Sequence, residues 1–223
     1  MADFAWADKP GATAFPIAAP GYPFIFAAAF TTGVFALLGL KTPAILALLT
    51  TFAVCFFFRD PDRVIPTGQG VVVSPADGKV IKARRMESNP FMDGPCMQVS
   101  IFMTVFNVHV NRVSHEGTIE NVRYQPGTFV SANLDKAQTH NEHNAVFIRT
   151  ENFQHICIVQ IAGLIARRIV CRVGKGDQVK RGQRFGLICF GSRLDVYLPV
   201  AAELKVAVGD KVRAGTSILG FLK

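Results

Sequence analysis

Residues 24–40 (FIFAAAFTTGVFALLGL) and 44–58 (AILALLTTFAVCFFF) contain no charged residue, and only Lys41-Thr42-Pro43 lies between them. Each run is at or just below the ~17-residue minimum for a helix that crosses a bilayer. Backbone polar groups inside a membrane must be satisfied within the segment, so the pattern predicts a tight hairpin of two apolar helices that spans or dips into the bilayer. Pro43 separates the helices and Arg59-Asp60-Pro61 ends the second. A secretory signal fits poorly, because Asp3, Asp8 and several prolines precede the first run where a short basic segment is needed. The 223-residue chain is 50% hydrophobic and only 18% charged, and its mean hydropathy of +0.29 traces to these two runs.

A hairpin leaves both of its ends on one side of the membrane. Residues 1–23 carry Asp3, Asp8 and Lys9, a net charge of −1, so the remainder carries +9 of the total of +8. The positive-inside tendency then puts the globular part on the cytoplasmic face of the cytoplasmic membrane, where a basic surface suits anionic lipid headgroups. Nucleic acid is the competing partner for a basic chain, but no aromatic-plus-basic motif or zinc-finger spacing is present, so no nucleic acid is expected. The division that follows is an N-terminal segment at 1–23, a membrane-associated hairpin at 24–58 and a catalytic domain at 59–223.

From Gly70 onward the chain changes to short alternating runs broken by Gly, Pro, Asn and Asp, which predicts a mainly β (α+β) fold. Strands are expected at 71–73, 80–83, 97–113, 145–150, 155–162 and 168–173, with a loop at 134–143. Gly176-Asp177-x-Val179-x-x-Gly182 recurs as Gly209-Asp210-x-Val212-x-x-Gly215. Each copy reads as turn, strand and turn, so two similar hairpin units are expected in a β-sandwich-like domain, with Asp177 and Asp210 as turn residues. The repeat is similar to the hairpins of lipoyl-type carrier domains, but that function needs a lysine at an exposed hairpin tip, commonly beside methionine, and no such lysine stands at Gly191-Ser192 between the copies. Cys55, Cys96, Cys157, Cys171 and Cys189 form no C-x-x-C pair, which predicts reduced, mostly buried thiols.

Between the two copies stands Gly191-Ser192, set between apolar stretches. Glycine admits close approach to its carbonyl, and the serine hydroxyl is a nucleophile if a base takes its proton. His109, in Asn107-Val108-His109-Val110-Asn111, is the candidate base; alternation puts it with Asn107 and Asn111 on the polar face of a strand. Asp77, in Ser74-Pro75-Ala76-Asp77-Gly78-Lys79, is the candidate acid to orient such a base, although Asp-Gly is first of all a turn signal. His140 and His143, with Asp135 and Glu142 nearby, lack the H-E-x-x-H pattern and a further ligand, so no metal is expected. His115 and His155 have no supporting neighbours. Arg167-Arg168 could hold a phosphate or carboxylate.

Together these strings resemble the phosphatidylserine decarboxylase family, in its short single-domain form. The resemblance runs from Phe57-Phe58-Arg59-Asp60-Pro61 through Ser74-Pro75-Ala76-Asp77-Gly78-Lys79-Val80 and Asn107-Val108-His109-Val110-Asn111-Arg112. It continues in His140-Asn141-Glu142-His143-Asn144, Gln160-Ile161-Ala162-Gly163, Ala166-Arg167-Arg168-Ile169-Val170 and Phe190-Gly191-Ser192. It implies self-cleavage between Gly191 and Ser192 into a large chain, 1–191, and a small chain, 192–223. Ser192 is then the precursor of a pyruvoyl group that forms a Schiff base with the substrate amine, with His109 as processing base and later proton donor, and Asp77 orienting it. No pyridoxal phosphate or metal is implied. The substrate would be an anionic phospholipid, phosphatidylserine, converted to phosphatidylethanolamine and CO2 by a heterodimer of the two chains, with further dimerisation left open. Longer relatives carry a second histidine three residues before the base; here that position is Phe106, and His143 and Arg168 are the accessory candidates. Two rivals stay open on residues alone: a membrane-anchored Ser-His-Asp hydrolase that remains whole, and a lipoyl-like carrier or binding module.

Overall fold

A computed structural model describes residues 4–5, 16–132, 140–163, 168–189 and 191–223. The chain divides into two compact units, residues 11–62 and residues 1–10 with 63–223.

The smaller unit is the apolar hairpin. Helix α1 (Tyr22–Leu37) and helix α2 (Lys41–Phe57) are joined at Gly39, whose φ of 71° is open to glycine without strain. The turn falls at residues 38–40, not at Lys41-Thr42-Pro43 as the charge pattern suggested. Those three residues form the first turn of α2, where proline is tolerated because the N–H it lacks has no intrahelical acceptor. Thr32 and Thr51 hydroxyls meet at 3.3 Å between the helices. The two ends are strapped together by a short antiparallel ladder: Ala18 N–H donates to the Phe58 carbonyl at 2.8 Å and Asp60 N–H to the Pro16 carbonyl at 2.8 Å. No residue of α1 is buried and only Phe57 of α2 is. Phe26, Phe30, Leu37 and Phe52 stand exposed. The stretch Ala19–Leu37 is long and apolar enough to cross a membrane, and α2 is slightly shorter.

The larger unit is almost wholly β. In chain order its strands are β1 (Phe4–Ala5), β2 (Ile65–Pro66), β3 (Val71–Val73), β4 (Gly78–Met86), β5 (Cys96–Met103), β6 (Val110–Arg112), β7 (Gly117–Gln125) and β8 (His143–Arg149). There follow β9 (His155–Ala162), β10 (Ile169–Cys171), β11 (Gln178–Val179), β12 (Arg184–Ile188), β13 (Ser192–Pro199), β14 (Glu203–Leu204), β15 (Lys211–Val212) and β16 (Ile218–Phe221). Eight make one antiparallel sheet in the order β11-β7-β8-β9-β13-β5-β4-β15, and two three-stranded sheets run β10-β12-β6 and β14-β16-β3. One face of the large sheet packs Ile101, Ile158, Leu194 and Val196 against Val72, Phe185 and Leu219 of the small sheets. This is the sandwich core. A second cluster, with Phe91, Ala145, Cys157, Ile161 and Tyr197, covers the other face.

The sheet order reads the same from both ends, because β15-β4-β5-β13 repeats β11-β7-β8-β9 and β14-β16-β3 repeats β10-β12-β6. Details repeat too. Gly78 lies against the Phe102 carbonyl and Ile101, and Gly117 against the Arg149 carbonyl and Ile148; Gly182 and Gly215 both abut Ile65. The sequence echo is the visible part of this duplication. Asp177 caps its turn by accepting from Gly174 N–H at 2.8 Å, and Asp210 does the same for Ala207 N–H at 2.8 Å. The two copies are not adjacent hairpins, however: β11 and β15 close opposite edges of the large sheet. One repeat is the continuous segment β6–β12; the other, β3–β5 with β13–β16, is interrupted by it.

The strand expected at 97–113 is broken: β5 ends at Met103, a turn occupies the next residues, and β6 starts at Val110. Strand β7 escaped the pattern because its outer half carries exposed polar residues. Residues 134–139 of the expected loop lie outside the described residues.

All five cysteines are free thiols, and Cys96, Cys157 and Cys189 are buried. Burial pushes each of these three thiols above its ordinary range. In the folded protein a polar maleimide at neutral pH should label Cys171 while sparing Cys96 and Cys157, both becoming reactive only on denaturation. Peptide mapping after labelling checks this, and early modification of Cys157 would contradict the packing.

Candidate active site

Strands β5 and β13 are neighbours at the centre of the large sheet, with Ser192 opposite Met103. The chain leaves β5 at Met103, forms the whole inserted repeat and returns at Ser192. Its way in is a turn closed by Asn107, whose side-chain oxygen accepts from Thr104 N–H at 2.8 Å and Thr104 Oγ1 at 2.9 Å. His109 follows, fully buried, one residue before β6. Its way out is the end of β12, where Leu187 pairs with Val110. His109 and Ser192 therefore mark the entrance and exit of one excursion. His109 and Asn111 lie in the interior, and only Asn107 keeps to the outside, so the polar strand face expected for the three is replaced by a turn and a buried strand start.

Asp77 precedes β4 in a turn that Ser74 closes by donating to the Ala76 carbonyl at 2.7 Å. Its carboxylate is largely buried and is held from two sides: Ala214 N–H donates to Oδ1 at 2.7 Å, and Arg63 donates to both oxygens at 3.0 and 3.3 Å. It is thus both a turn residue and a paired charge. Lys79 pairs with Phe102 and Phe102 with Arg193, so continuing the register sets Gly78 in the row of Met103 and Ser192. Asp77 lies one residue beyond that row. Arg112 N–H donates to the Pro75 carbonyl at 2.9 Å, which ties the end of β6, three residues after His109, to the Asp77 turn. The topology brings Asp77, His109 and Ser192 to the same end of the sheet.

Gly191 has φ of 67°, a left-handed conformation that a side chain would strain. Ser192 opens β13 fully buried, and its Oγ has no hydrogen-bond partner among the described residues. A buried, unsatisfied hydroxyl is unusual and calls for a reason. Its side chain points to the sandwich core along with Leu194, the face on which a chain of amides runs. Asn144 donates to Gln160 Oε1 at 3.0 Å, Gln160 to Asn111 Oδ1 at 2.8 Å, and Asn111 to the His109 carbonyl at 3.2 Å. Each amide orientation fixes the next, and the last fixes the backbone of His109.

The opposite face of β13 holds a group with no sequence forewarning. Arg193 and Asp195 are both fully buried and form a bidentate pair, Nε to Oδ1 at 2.7 Å and Nη2 to Oδ2 at 2.6 Å. Gln98 donates to Asp195 Oδ2 at 3.2 Å, and Arg193 Nη1 to the Ala132 carbonyl at 3.3 Å. Burial and the Asp195 charge push the Tyr197 phenol far above its ordinary range. Charges at alternate positions of a strand ordinarily mean an exposed face, but β13 is flanked by β9 and β5 and covered on both sides.

His143 starts β8 opposite Ile161, which is in turn opposite Arg193, so it belongs to the Arg193 face and not to that of Ser192. Its Nδ1 is 2.8 Å from the Asn141 carbonyl and its ring stands edge-on to Phe91. Arg168 is exposed, and its carbonyl accepts from Cys189 N–H at 3.3 Å, beside the segment that leads to Ser192. Phe106 is exposed on the turn before His109. His115 bonds the Glu116 carbonyl and His155 bonds Glu120. No group of three or more metal-ligating side chains occurs among the described residues. Asp135, Arg167 and Phe190 lie outside them.

The sheet end that carries Gly191 in the left-handed region and the buried Ser192 thus also carries the buried His109 and the paired Asp77. Residues 50–220 match the phosphatidylserine decarboxylase family. A phosphatidylserine decarboxylase proenzyme of Syntrophus aciditrophicus is 52% identical over 206 residues, covering 92% of this chain and 96% of that protein. One from Geotalea uraniireducens is 50% identical over 207 residues (93% and 97%), and one from Cupriavidus taiwanensis 47% over 209 (92% and 95%). The chain belongs to the phosphatidylserine decarboxylase family and is a carboxy-lyase.

Removing one partner of a buried ion pair strands the other charge, which costs about 3–5 kcal/mol. Asp195→Ala, made in a Ser192→Ala background so that every molecule is a single chain, should lose stability of about that size by denaturant unfolding. A loss below about 1 kcal/mol, the level of a surface pair, would contradict the buried geometry.

Proposed function

We propose that this chain is a proenzyme that cuts itself between Gly191 and Ser192 and then decarboxylates phosphatidylserine to phosphatidylethanolamine. Ser192 carries the reading: its hydroxyl is buried, has no hydrogen-bond partner among the described residues, and directly follows a left-handed glycine. His109 takes the hydroxyl proton, with Asp77 orienting the imidazole. Oγ attacks the Gly191 carbonyl carbon, the C–N bond breaks, and the proton passes to the freed amine, which leaves an ester. Loss of the Ser192 Cα proton expels Gly191 as a carboxylate, and hydrolysis of the resulting dehydroalanine releases ammonia.

The small chain, 192–223, then begins with a pyruvoyl group, whose ketone supplies the electron sink that decarboxylation of an amino acid needs. The site suits such a group, since the precursor position is dry, lies at a strand head, and needs no side-chain bond to be kept. The Arg193–Asp195 pair and the ladders to β5 and β9 hold that strand head after the backbone is cut, and so support a lasting heterodimer of the two chains. His109 then becomes available to protonate the product carbon. The apolar hairpin supports a substrate that resides in the bilayer, with the basic domain on the cytoplasmic side.

Expression of Ser192→Ala should give one uncut chain that releases no CO2 from carboxyl-labelled phosphatidylserine. His109→Ala should slow cutting by about 10²-fold or more. Two fragments from Ser192→Ala, or an uncut wild type that releases fatty acid instead of CO2, would refute the proposal.

A further inference from the structure

We infer that Gly163 is the seat of the scissile carbonyl, a position that must carry no side chain if the Gly191 carbonyl is to be presented to Ser192. The inference rests on the self-processing reading above. Ala162 pairs with Ser192 at the end of the β9–β13 ladder, so Gly163 comes across from Gly191. A Cβ built on Gly163 would run into the Gly191 carbonyl oxygen, far inside any contact that real Cβ atoms make. The obstructing atom is backbone, and it cannot rotate away as a side-chain end could.

The two glycines are required for different reasons. Gly191 needs its freedom of φ, and a Cβ there would meet nothing closer than the Met103 carbonyl at 4.0 Å. Gly163 lies outside the left-handed region, so its backbone accepts alanine and space alone forbids it. The surroundings leave little room to yield. On the strand side, Asn141 Nδ2 donates to the Ala162 carbonyl at 2.6 Å and the Val130 carbonyl at 2.7 Å, while its oxygen accepts from Val130 N–H at 2.9 Å. On the loop side, the Ala132 methyl carbon lies 3.5 Å from the same point, and the Ala132 carbonyl is held by Arg193. One side chain from each direction thus fixes the walls around an oxygen that must stay put while Oγ reaches its carbon. The short stretch Gln160-Ile161-Ala162-Gly163 acquires a reason: Gln160 serves the amide chain to His109, and Gly163 receives the carbonyl.

A methyl group at Gly163 displaces the carbonyl by an ångström or so, and a misplacement of that size costs about 10²-fold in rate. The test follows the full-length chain during cell-free synthesis in detergent, with wild type, Gly163→Ala and Ala132→Val in parallel and hydroxylamine added to cleave any ester. Gly163→Ala is expected to cut at least about 10²-fold more slowly, to release no fragments with hydroxylamine, and to unfold within a few degrees of Ser192→Ala. Should Gly163→Ala not fold, Ala132→Val crowds the seat from the loop side with β9 untouched, and it should slow cutting in the same way. Cutting at the wild-type rate in a folded variant overturns the seat and leaves self-processing standing. So does fragment release by hydroxylamine, because the acyl shift would then have occurred normally. A wild type that never cuts removes the parent reading and the seat with it.

Discussion

The pairing of β5 with β13 is the constraint on which the rest of the structure depends. Met103 and Ser192 lie opposite each other, yet a complete second copy of the β repeat is threaded between them. In the inserted copy the equivalent strands, β8 and β9, are joined by a short turn at residues 150–154. Whatever replaces such a turn must leave and re-enter the sheet at adjacent strands. Entrance and exit are thereby held together without any local sequence preference, and His109 and Gly191-Ser192 occupy those two places. Asp77 joins them because the turn before β4 lies at the same end of the same sheet.

The two faces of β13 carry two different polar systems. On one face the Arg193–Asp195 pair is fully buried, a costly arrangement unless both charges are well bonded, and its partners Gln98 and Ala132 meet that need. On the other face the amide chain from Asn144 through Gln160 and Asn111 ends on the His109 backbone. Ser192 lies on the face of the amide chain at the head of β13, with its own hydroxyl outside that chain. Such an economy of bonds suits a side chain that is to be consumed.

Much of this was legible in the sequence. The apolar hairpin follows from two charge-free runs, and the β class from alternation and turn residues. The offset echo of Gly-Asp-x-Val-x-x-Gly marked the duplication, though not its extent, because the rest of each copy shares backbone geometry more than residue type. The order of motifs pointed to the family. What could not be read was burial in a strand covered on both faces. Arg193 and Asp195 alternate with leucine and valine as an exposed strand would, and only the places of β9 and β5 turn that polar face inward. The run at 97–113 likewise hides a chain reversal, since nothing in Phe106-Asn107-Val108 announces that Asn107 will bond back to Thr104. Gly163 stood in one of the family-like strings, but the sequence does not tell a glycine lying against a distant carbonyl from any other.

The central claim is that the Ser192 side chain is a precursor to be spent. Intact-mass spectrometry of the purified protein tests it most directly. The prediction is two species, one matching residues 1–191 and one matching residues 192–223 but lighter by one ammonia than a serine-headed fragment. A single species at the full 24.3 kDa, or a small fragment that retains an N-terminal serine, would contradict it.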